Sequence, residues 1–529
     1  MLPYAFPSDP PLPNLDALRS RVAFLSGFRP EQYDRCPNAC CCFVGPHVNL
    51  SRCPFCNERR YRLDGKPRQT YTYMPIIPRL VNLVGNREMA KQMEYRAHIH
   101  TTAPGIVKDI FDGTYYRSLK GRHVKLGDQT FPHKYFQDHR DVALGISLDG
   151  FSPFKSRKQS VWAFIMFNYN LPPDTRFHLE NILTLGIVGP RKPVDFDSFL
   201  WPVVQELLSL LIGVRAYDAL SFSIFCLRAF LILGFGDIPA IAALMRMKGH
   251  QGLLPCRMCK IIGIRIPGSR ATAHYVPLDR SSHPDIQNDP DAVSEYDAHN
   301  LPMRSHEEIL AQATEVQDAF TNTRAEELSK AYGINGISIL FYLPSVSFPT
   351  CFPYDFMHLL WENLIPNLIL LWSGNFKGLD QGTESYEIPK AVWDAIGEAT
   401  ATAGSTIPSV YGSRVPNIAK DQYQFSAEMW SFWTLYLGPV LLRRRFQRAR
   451  YYSHFVQLVR LLHICLQFEI SDDEIKEIRV GFIEWVNEYE SCVKVGLPTV
   501  LCSFAIGCII SATPTDFPLV PSLSTHSST

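Results

Sequence analysis

The chain has 529 residues, 46% of them hydrophobic and 19% charged, a length that allows several domains and a composition that excludes a disordered or fibrous protein. Its formal net charge is +1, so a nucleic-acid surface has to come from local patches rather than from the chain as a whole. The apolar stretches around 200–214 and 219–236 are short or interrupted by Arg228, which argues against a membrane span, and the proline-rich start lacks the apolar segment of a secretory signal.

Residues 1–30 read as an extended arm leading into a cysteine-rich region over 31–80. Fourteen cysteines are few for a disulfide scaffold of this length, but six fall between residues 36 and 56. Cys36-x3-Cys40, twelve intervening residues and Cys53-x2-Cys56 offer four thiolates in two close pairs, which suits a tetrahedral Zn²⁺ knuckle that folds around its metal. Buried free cysteines are the bland alternative, and Cys41, Cys42 and His47 leave the choice of ligands open. A helical and basic linker is expected over 81–135. Residues 142–149, "VALGISLD", then alternate strictly, with Val142, Leu144, Ile146 and Leu148 on one face and Ala143, Gly145, Ser147 and Asp149 on the other. The small residues beside Asp149 would leave room for a bulky ligand.

Strand-like runs follow at 161–170 and 181–190, then a helix near 196–214, an apolar strand at 229–236 and a helix at 238–248. That order predicts an α/β core over 136–260, a mixed sheet with helices packed on it. An insertion over 261–425 carries helices near 303–332 and 355–373, separated by loops rich in Pro, Ser and Gly at 262–300 and 374–420. Helices near 427–441, 451–469 and 472–490 make a helical part over 426–494, and 495–529 is a tail of unusually low charge.

Asp237 stands between an apolar strand and a helix whose first turn carries Pro239. It suits an N-cap as well as it suits a ligand. Asp149 begins an Asp-Gly turn signal and has its own bland reading as a solvated carboxylate. As a pair at the ends of strands of one sheet, the two would repel unless a cation lay between them, and a hard ion such as Mg²⁺ wants such oxygen ligands. They are therefore expected within a few ångströms of each other. Cys256-x-x-Cys259, with His250 nearby, is half a zinc site or a core pair. "YDFMHLLWENL" puts Asp355, His358 and Glu362 on one helix face, either as a polar edge or as a metal and catalytic face. Three basic stretches carry aromatics, at 59–68, 115–125 and 443–452, and each is either a solvated face or part of a phosphate-contacting groove.

"LGISLDGFSPF", "GFGDIPAIAALMRMKGHQGLLPCRMC" and "YDFMHLLWEN", following a cysteine knuckle, "RRYRLDGKPR" and "FDGTYY", together resemble the signature blocks of the CACTA (En/Spm-type) transposases in their fungal, basidiomycete-like form. The resemblance runs from about residue 31 to about 490. It implies an RNase H-like core that cuts and joins DNA with two Mg²⁺ or Mn²⁺ ions held by an Asp, Asp, Glu triad, acting in the nucleus as a homo-oligomer. By position Asp149 matches the first carboxylate and Asp237 the second. Cys256 and Cys259 match half of a structural Zn²⁺ site that the family, like the related V(D)J recombinase catalytic subunit, completes with a later pair of histidines.

The same resemblance leads one to expect a His-x-x-x-His element and a Glu after the helix near 472–490. Residues 495–529 hold Asp516 as their only charged residue and His526 as their only histidine, so the chain reads as a truncated and catalytically defective member. Glu362 is the remaining third-carboxylate candidate, with His358 as a neighbouring metal ligand. The alternative function is a non-catalytic, zinc-stabilised DNA-binding protein derived from a transposase.

Overall fold

The computed structural model describes residues 14–154, 159–265, 276–376, 385–408, 412 and 414–493. Two compact units divide the chain, one of Met1–His100, Lys120–Ile232 and Tyr342–Val346, the other of Thr101–Leu119, Leu233–Phe341 and Ser347–Thr529. Together they give a mixed α/β architecture. No helix among the described residues is long and apolar enough to cross a membrane.

The first unit is built on a six-stranded sheet of β1 (Glu31–Asp34), β2 (Thr70–Tyr73), β3 (Val142–Phe151), β4 (Val161–Asn168), β5 (Leu183–Val188) and β6 (Ala229–Phe235), the last of which leads out of the unit after Ile232. Their order across the sheet is β1-β2-β5-β4-β3-β6. β3, β4 and β5 form an antiparallel meander, with Asp149 opposite Ala163 and Gly145 opposite Phe167. The Val142 N–H at the start of β3 donates to the Arg228 carbonyl just before β6 (2.9 Å), so these two neighbours leave from the same end of the sheet. At that end the buried Asn170 accepts from the Ala143 N–H and donates to the Asp141 carbonyl, each at 2.9 Å.

The alternation in "VALGISLD" predicts a strand with one face open, but every residue from Val142 to Leu148 is buried. β3 is an interior strand, covered on both faces. Its small side chains make room for the protein's own rings: a Cβ on Gly145 would fall 2.6 Å from the buried Tyr169 ring. The space expected for a ligand on that face is thus filled at Gly145 by Tyr169, and only Asp149 and the residues after it reach the surface.

After β5 the chain crosses through α1 (Phe196–Ile212), whose first turn is capped by the Asp195 carboxylate accepting from the Ser198 N–H. Its buried face includes Phe199, Leu200, Val203, Val204, Leu207, Leu210 and Leu211. Glu206 on the same helix accepts from the Ile76 and Ile77 N–H groups at 2.7 and 3.0 Å, closing the start of the helix Ile77–Gly85, and from the Tyr73 hydroxyl. A hairpin of Val214–Asp218 with Ser223–Leu227 lies between α1 and β6. A second, of His123–Leu126 with Gln129–Lys134, falls where a helical linker was expected. Residues expected to be extended form, in part, the helix Leu15–Ser26.

The second unit is largely helical. α2 (Ile238–Leu244) is shorter than its apolar pattern suggests, ending where Arg246 takes φ +52°. The run near 303–332 is two helices, His306–Gln317 and Asn322–Tyr332, because Ser305 and Thr321 each cap a new start. The helix Lys390–Ala403 occupies part of a stretch expected to be loop and buries Trp393, Ile396 and Thr400. Ala449–Cys465 and Asp472–Val493 pack together, and the short strands Ile106–Val107 and Ile470–Ser471 pair antiparallel beside them.

A reciprocal bond pair locks the two long helices. His454 Nε2 donates to the Trp485 carbonyl (2.8 Å), the Trp485 indole N–H donates to the His454 carbonyl (3.0 Å), and the rings stack at 4.4 Å. Burial pushes the His454 pKa down from its usual value to about 4, so the imidazole stays neutral in the fold. Its contribution is complete above pH 6.5 and is lost as pH falls towards 4, because only the unfolded chain takes up the proton. The expected loss is on the order of 3 kcal/mol. Denaturant unfolding of the wild type across that range should show it, and His454→Gln, which can still donate but does not titrate, should not.

Candidate metal centres and acidic site

The cysteine cluster is an excursion between paired strands. β1 and β2 run antiparallel, Glu31 opposite Tyr73 through Asp34 opposite Thr70, and the chain between them folds into the knuckle. The Sγ atoms of Cys36, Cys40, Cys53 and Cys56 all lie within 4.8 Å of one another. Two tight turns create this convergence. Ala39, just before Cys40, and Asn57, just after Cys56, both take left-handed backbone (φ +58° and +60°), with the Ala39 N–H donating to the Cys36 carbonyl and the Asn57 N–H to the Cys53 carbonyl, each at 2.9 Å.

Burial pushes the Cys36 thiol up to about 11. At Cys56 burial works upward too, but hydrogen bonds from the Glu58 backbone, Asn38 and the neighbouring thiols outweigh it and bring the group down to about 7. Four converging sulfurs, three of them buried, are the donor set a structural Zn²⁺ takes, and they fit that ion. Of the alternatives, His47 is engaged by Asp195 at 2.9 Å and the Cys42 thiol lies 3.4 Å from the Asp34 carbonyl. Cys41 sits 3.9 Å from Cys53, outside the converging four.

The knuckle is docked, not dangling. The Cys40 carbonyl accepts from the Val194 and Asp195 N–H groups at 3.1 and 2.9 Å, and the Cys42 N–H donates to the Ser198 hydroxyl (2.9 Å). Gly45 lies so close to Trp201 of α1 that a Cβ would come within 2.5 Å of the ring. Local sequence carries no signal for these contacts, whose partners stand some 150 residues apart.

Asp149 is exposed on β3. Asp237 is half-buried and caps α2, its Oδ1 accepting from the Ala240 N–H at 2.5 Å, so the structural role available to it is in use. Within the second unit Asp237 also acts electrostatically on His358, which Asp355 and Glu362 flank. Asp355 precedes the π-helical turn Met357–Leu364 and accepts from the Met357 N–H at 2.8 Å. His358 Nδ1 donates to its other oxygen at 2.9 Å, while Nε2 stands 3.8 Å from Glu362. Burial would lower the His358 pKa, but the bond to Asp355 and the charges of Asp355, Glu362 and Asp237 outweigh it and raise the group above its usual value.

The surrounding carboxylates therefore favour the charged form of the imidazole. Among the described residues, the cysteine knuckle is the only set of three or more His, Cys, Asp or Glu side chains whose ligand atoms converge within 4.8 Å. The carboxylates of the second unit are oxygen donors suited to Mg²⁺ or Mn²⁺ in kind, but they do not form a closed cage.

Cys256 and Cys259 are buried, and the Met258 and Cys259 N–H groups both donate to the Cys256 sulfur at 3.3 Å. The bond to Cys256 and burial raise the Cys259 thiol well above its usual value. Arg304 braces the turn, donating to the Cys256 and Cys259 carbonyls. No third ligand joins them among the described residues, and His250 is exposed on the turn Gly249–Gln251. The expected His-x-x-x-His element and the tail at 495–529 lie outside the described residues.

The strand carrying Asp149, the Asp237 helix cap and the thiol turn follow one another along one segment of the chain. Residues 113–278 match the family model described as Transposase family tnp2. The match covers Asp149, Asp237, Cys256 and Cys259 and supports a transposase role, with DNA as the partner such a role implies. No curated protein matches the chain.

Proposed function

We propose that the chain is a DDE-type DNA transposase of the CACTA (En/Spm-type) class, in its fungal form, built on an RNase H-like core. The observation that carries the reading is the transposase-family match across the segment holding both candidate aspartates and the thiol pair. The strand order supports it: an antiparallel meander, a helical crossover, and then β6 beside β3, which puts the strand carrying Asp149 next to the strand that leads to Asp237.

In this reading Asp149 and Asp237 are the first two metal-binding carboxylates and Glu362 is the third. Two Mg²⁺ or Mn²⁺ ions would activate water and stabilise the entering and leaving oxygens of an in-line displacement at phosphorus. The chain's own part is positional. Asp355 holds the His358 ring by its Nδ1–H, and the ring stands beside the Glu362 carboxylate. Cys256 and Cys259 pin the segment that follows α2 and would supply half of a second Zn²⁺ site. Action in the nucleus as a homo-oligomer belongs to the same proposal.

A specific observation favours a second reading, a zinc-stabilised DNA-binding protein without catalysis: only the cysteine cluster converges as a ligand set among the described residues. Incubating purified protein with supercoiled plasmid in Mn²⁺ or Mg²⁺ separates the two. Metal-dependent nicking that responds to terminal inverted repeats supports the transposase. Tight DNA binding without nicking supports the alternative.

A further inference from the structure

Of the three basic stretches with interleaved aromatics, two are broken up by the fold, although Arg59, Arg62 and Lys66 of the first and Arg117, Lys120, Arg122 and Lys125 of the second stay exposed. In 59–68, Arg60 is held by Asp34 at 2.7 Å and Arg68 pairs with Glu58. In 115–125, Tyr115 and Tyr116 are core residues. The third is different. Arg443, Arg444, Arg445, Arg448 and Arg450 are all exposed on the turn into the helix Ala449–Cys465. Among the described residues the first four have no acidic partner.

The charge is concentrated by sequence as well as by fold, since no Asp or Glu occurs between Glu428 and Glu469. The turn is also rigidly placed. Phe446 is buried edge-on against Trp372 at 5.4 Å, the Tyr451 hydroxyl lies 2.6 Å from the Ser385 hydroxyl, and the Tyr452 hydroxyl donates to the Pro439 carbonyl at 2.7 Å. Arg448 even occupies the N-cap, with no side-chain cap bond and no acidic residue in the first turn. Cations there oppose the helix dipole, so the arrangement costs stability that an anion would return.

We infer that Arg443, Arg444, Arg445 and Arg448 form a contact surface for the phosphate backbone of duplex DNA. The choice of DNA rests on the transposase reading. The choice of duplex rests on the aromatics within the turn, because Phe446 and Tyr451 are buried rather than presented for stacking by unpaired bases. Contacts of this kind position DNA without reading its sequence.

The test is fluorescence anisotropy of the full chain with a labelled random-sequence duplex of about 30 base pairs between 50 and 200 mM salt. The triple variant Arg443→Gln, Arg445→Gln, Arg448→Gln should flatten the slope of log affinity against log salt by about 0.9 per lost contact, so the fall in affinity over that range becomes about 40-fold smaller. The matched Lys triple should keep the wild-type slope, since a point charge suffices, and shows that the site itself tolerates substitution. Removing three paired surface charges with Lys390→Gln, Lys420→Gln and Lys476→Gln should leave the slope unchanged. A wild type that binds duplex with a slope the arginine triple does not alter overturns the inference and leaves the transposase reading standing. A wild type that does not bind duplex at any salt overturns both. A slope lost on single-stranded but not on duplex DNA overturns the assignment to duplex.

Discussion

In a chain that nicks DNA, Asp149→Ala is expected to lower metal-dependent nicking by roughly 10³–10⁴-fold while leaving the fold intact. The first half follows from the proposed role, since a two-metal centre deprived of a ligand holds its ions weakly and loses charge stabilisation where the reaction needs it. The second half follows from the structure. Asp149 is exposed, and Ala keeps the backbone pairing with Ala163, so the unfolding free energy should change by no more than about 0.5 kcal/mol. Glu362→Ala should reproduce the loss. Glu362 is about half exposed and stands at ion-pair rather than hydrogen-bond distance from His358, so its removal is equally mild for stability. If Asp149→Ala abolishes nicking and Glu362→Ala does not, the third carboxylate lies elsewhere. Equal nicking by wild type and Asp149→Ala would sink the catalytic reading.

Cys53→Ser should remove one equivalent of zinc and unfold the knuckle. Zinc binding in small cysteine folds is worth about 10–16 kcal/mol of apparent free energy, and a four-thiolate site with one ligand missing forfeits a large part of it. The damage should spread. The knuckle donates to and accepts from the Val194–Ser198 segment that starts α1, so chelation should lower the unfolding midpoint of the first unit and expose the Arg52–Arg62 stretch to trypsin. Metal analysis gives the check. The double variant Cys256→Ser, Cys259→Ser should keep the knuckle's zinc, and Cys226→Ser, on an exposed thiol, should change nothing. Zinc content unaffected by Cys53→Ser would overturn the assignment.

The parts legible in the sequence were those written in local chemistry. The alternation at 142–149, the Asp237 cap and the cysteine pairs of the knuckle each depend on residues a few positions apart, and the structure contains the elements they predict. What escaped depended on distant partners. β1 and β2 are four residues long; β1 becomes a strand by pairing across the knuckle, and β2 by pairing there and with the distant β5. The small face of β3 suggested a vacancy because nothing nearby says that Tyr169 will cover Gly145. The tyrosines of 115–125 looked like surface partners of arginines, yet their side of the chain is the one the core claims. The helix Lys390–Ala403 was obscured by the Pro and Gly around it, although Trp393, Ile396 and Thr400 have helical spacing.

The pairing of Ile106–Val107 with Ile470–Ser471, reinforced by the Asp472 N–H donating to the Gly105 carbonyl at 2.9 Å, sets a timetable for biosynthesis. The partner strand leaves the ribosome some 360 residues later, about 20–70 s at ordinary elongation rates. Until then Ile106 and Val107, just ahead of the buried Phe111, Tyr115, Tyr116 and Leu119, have no strand to pair with. The nascent chain therefore spends most of its synthesis with a sticky, unfinished edge. Chaperone occupancy of that segment should set the yield of soluble protein, and slower translation should lengthen the exposure rather than relieve it.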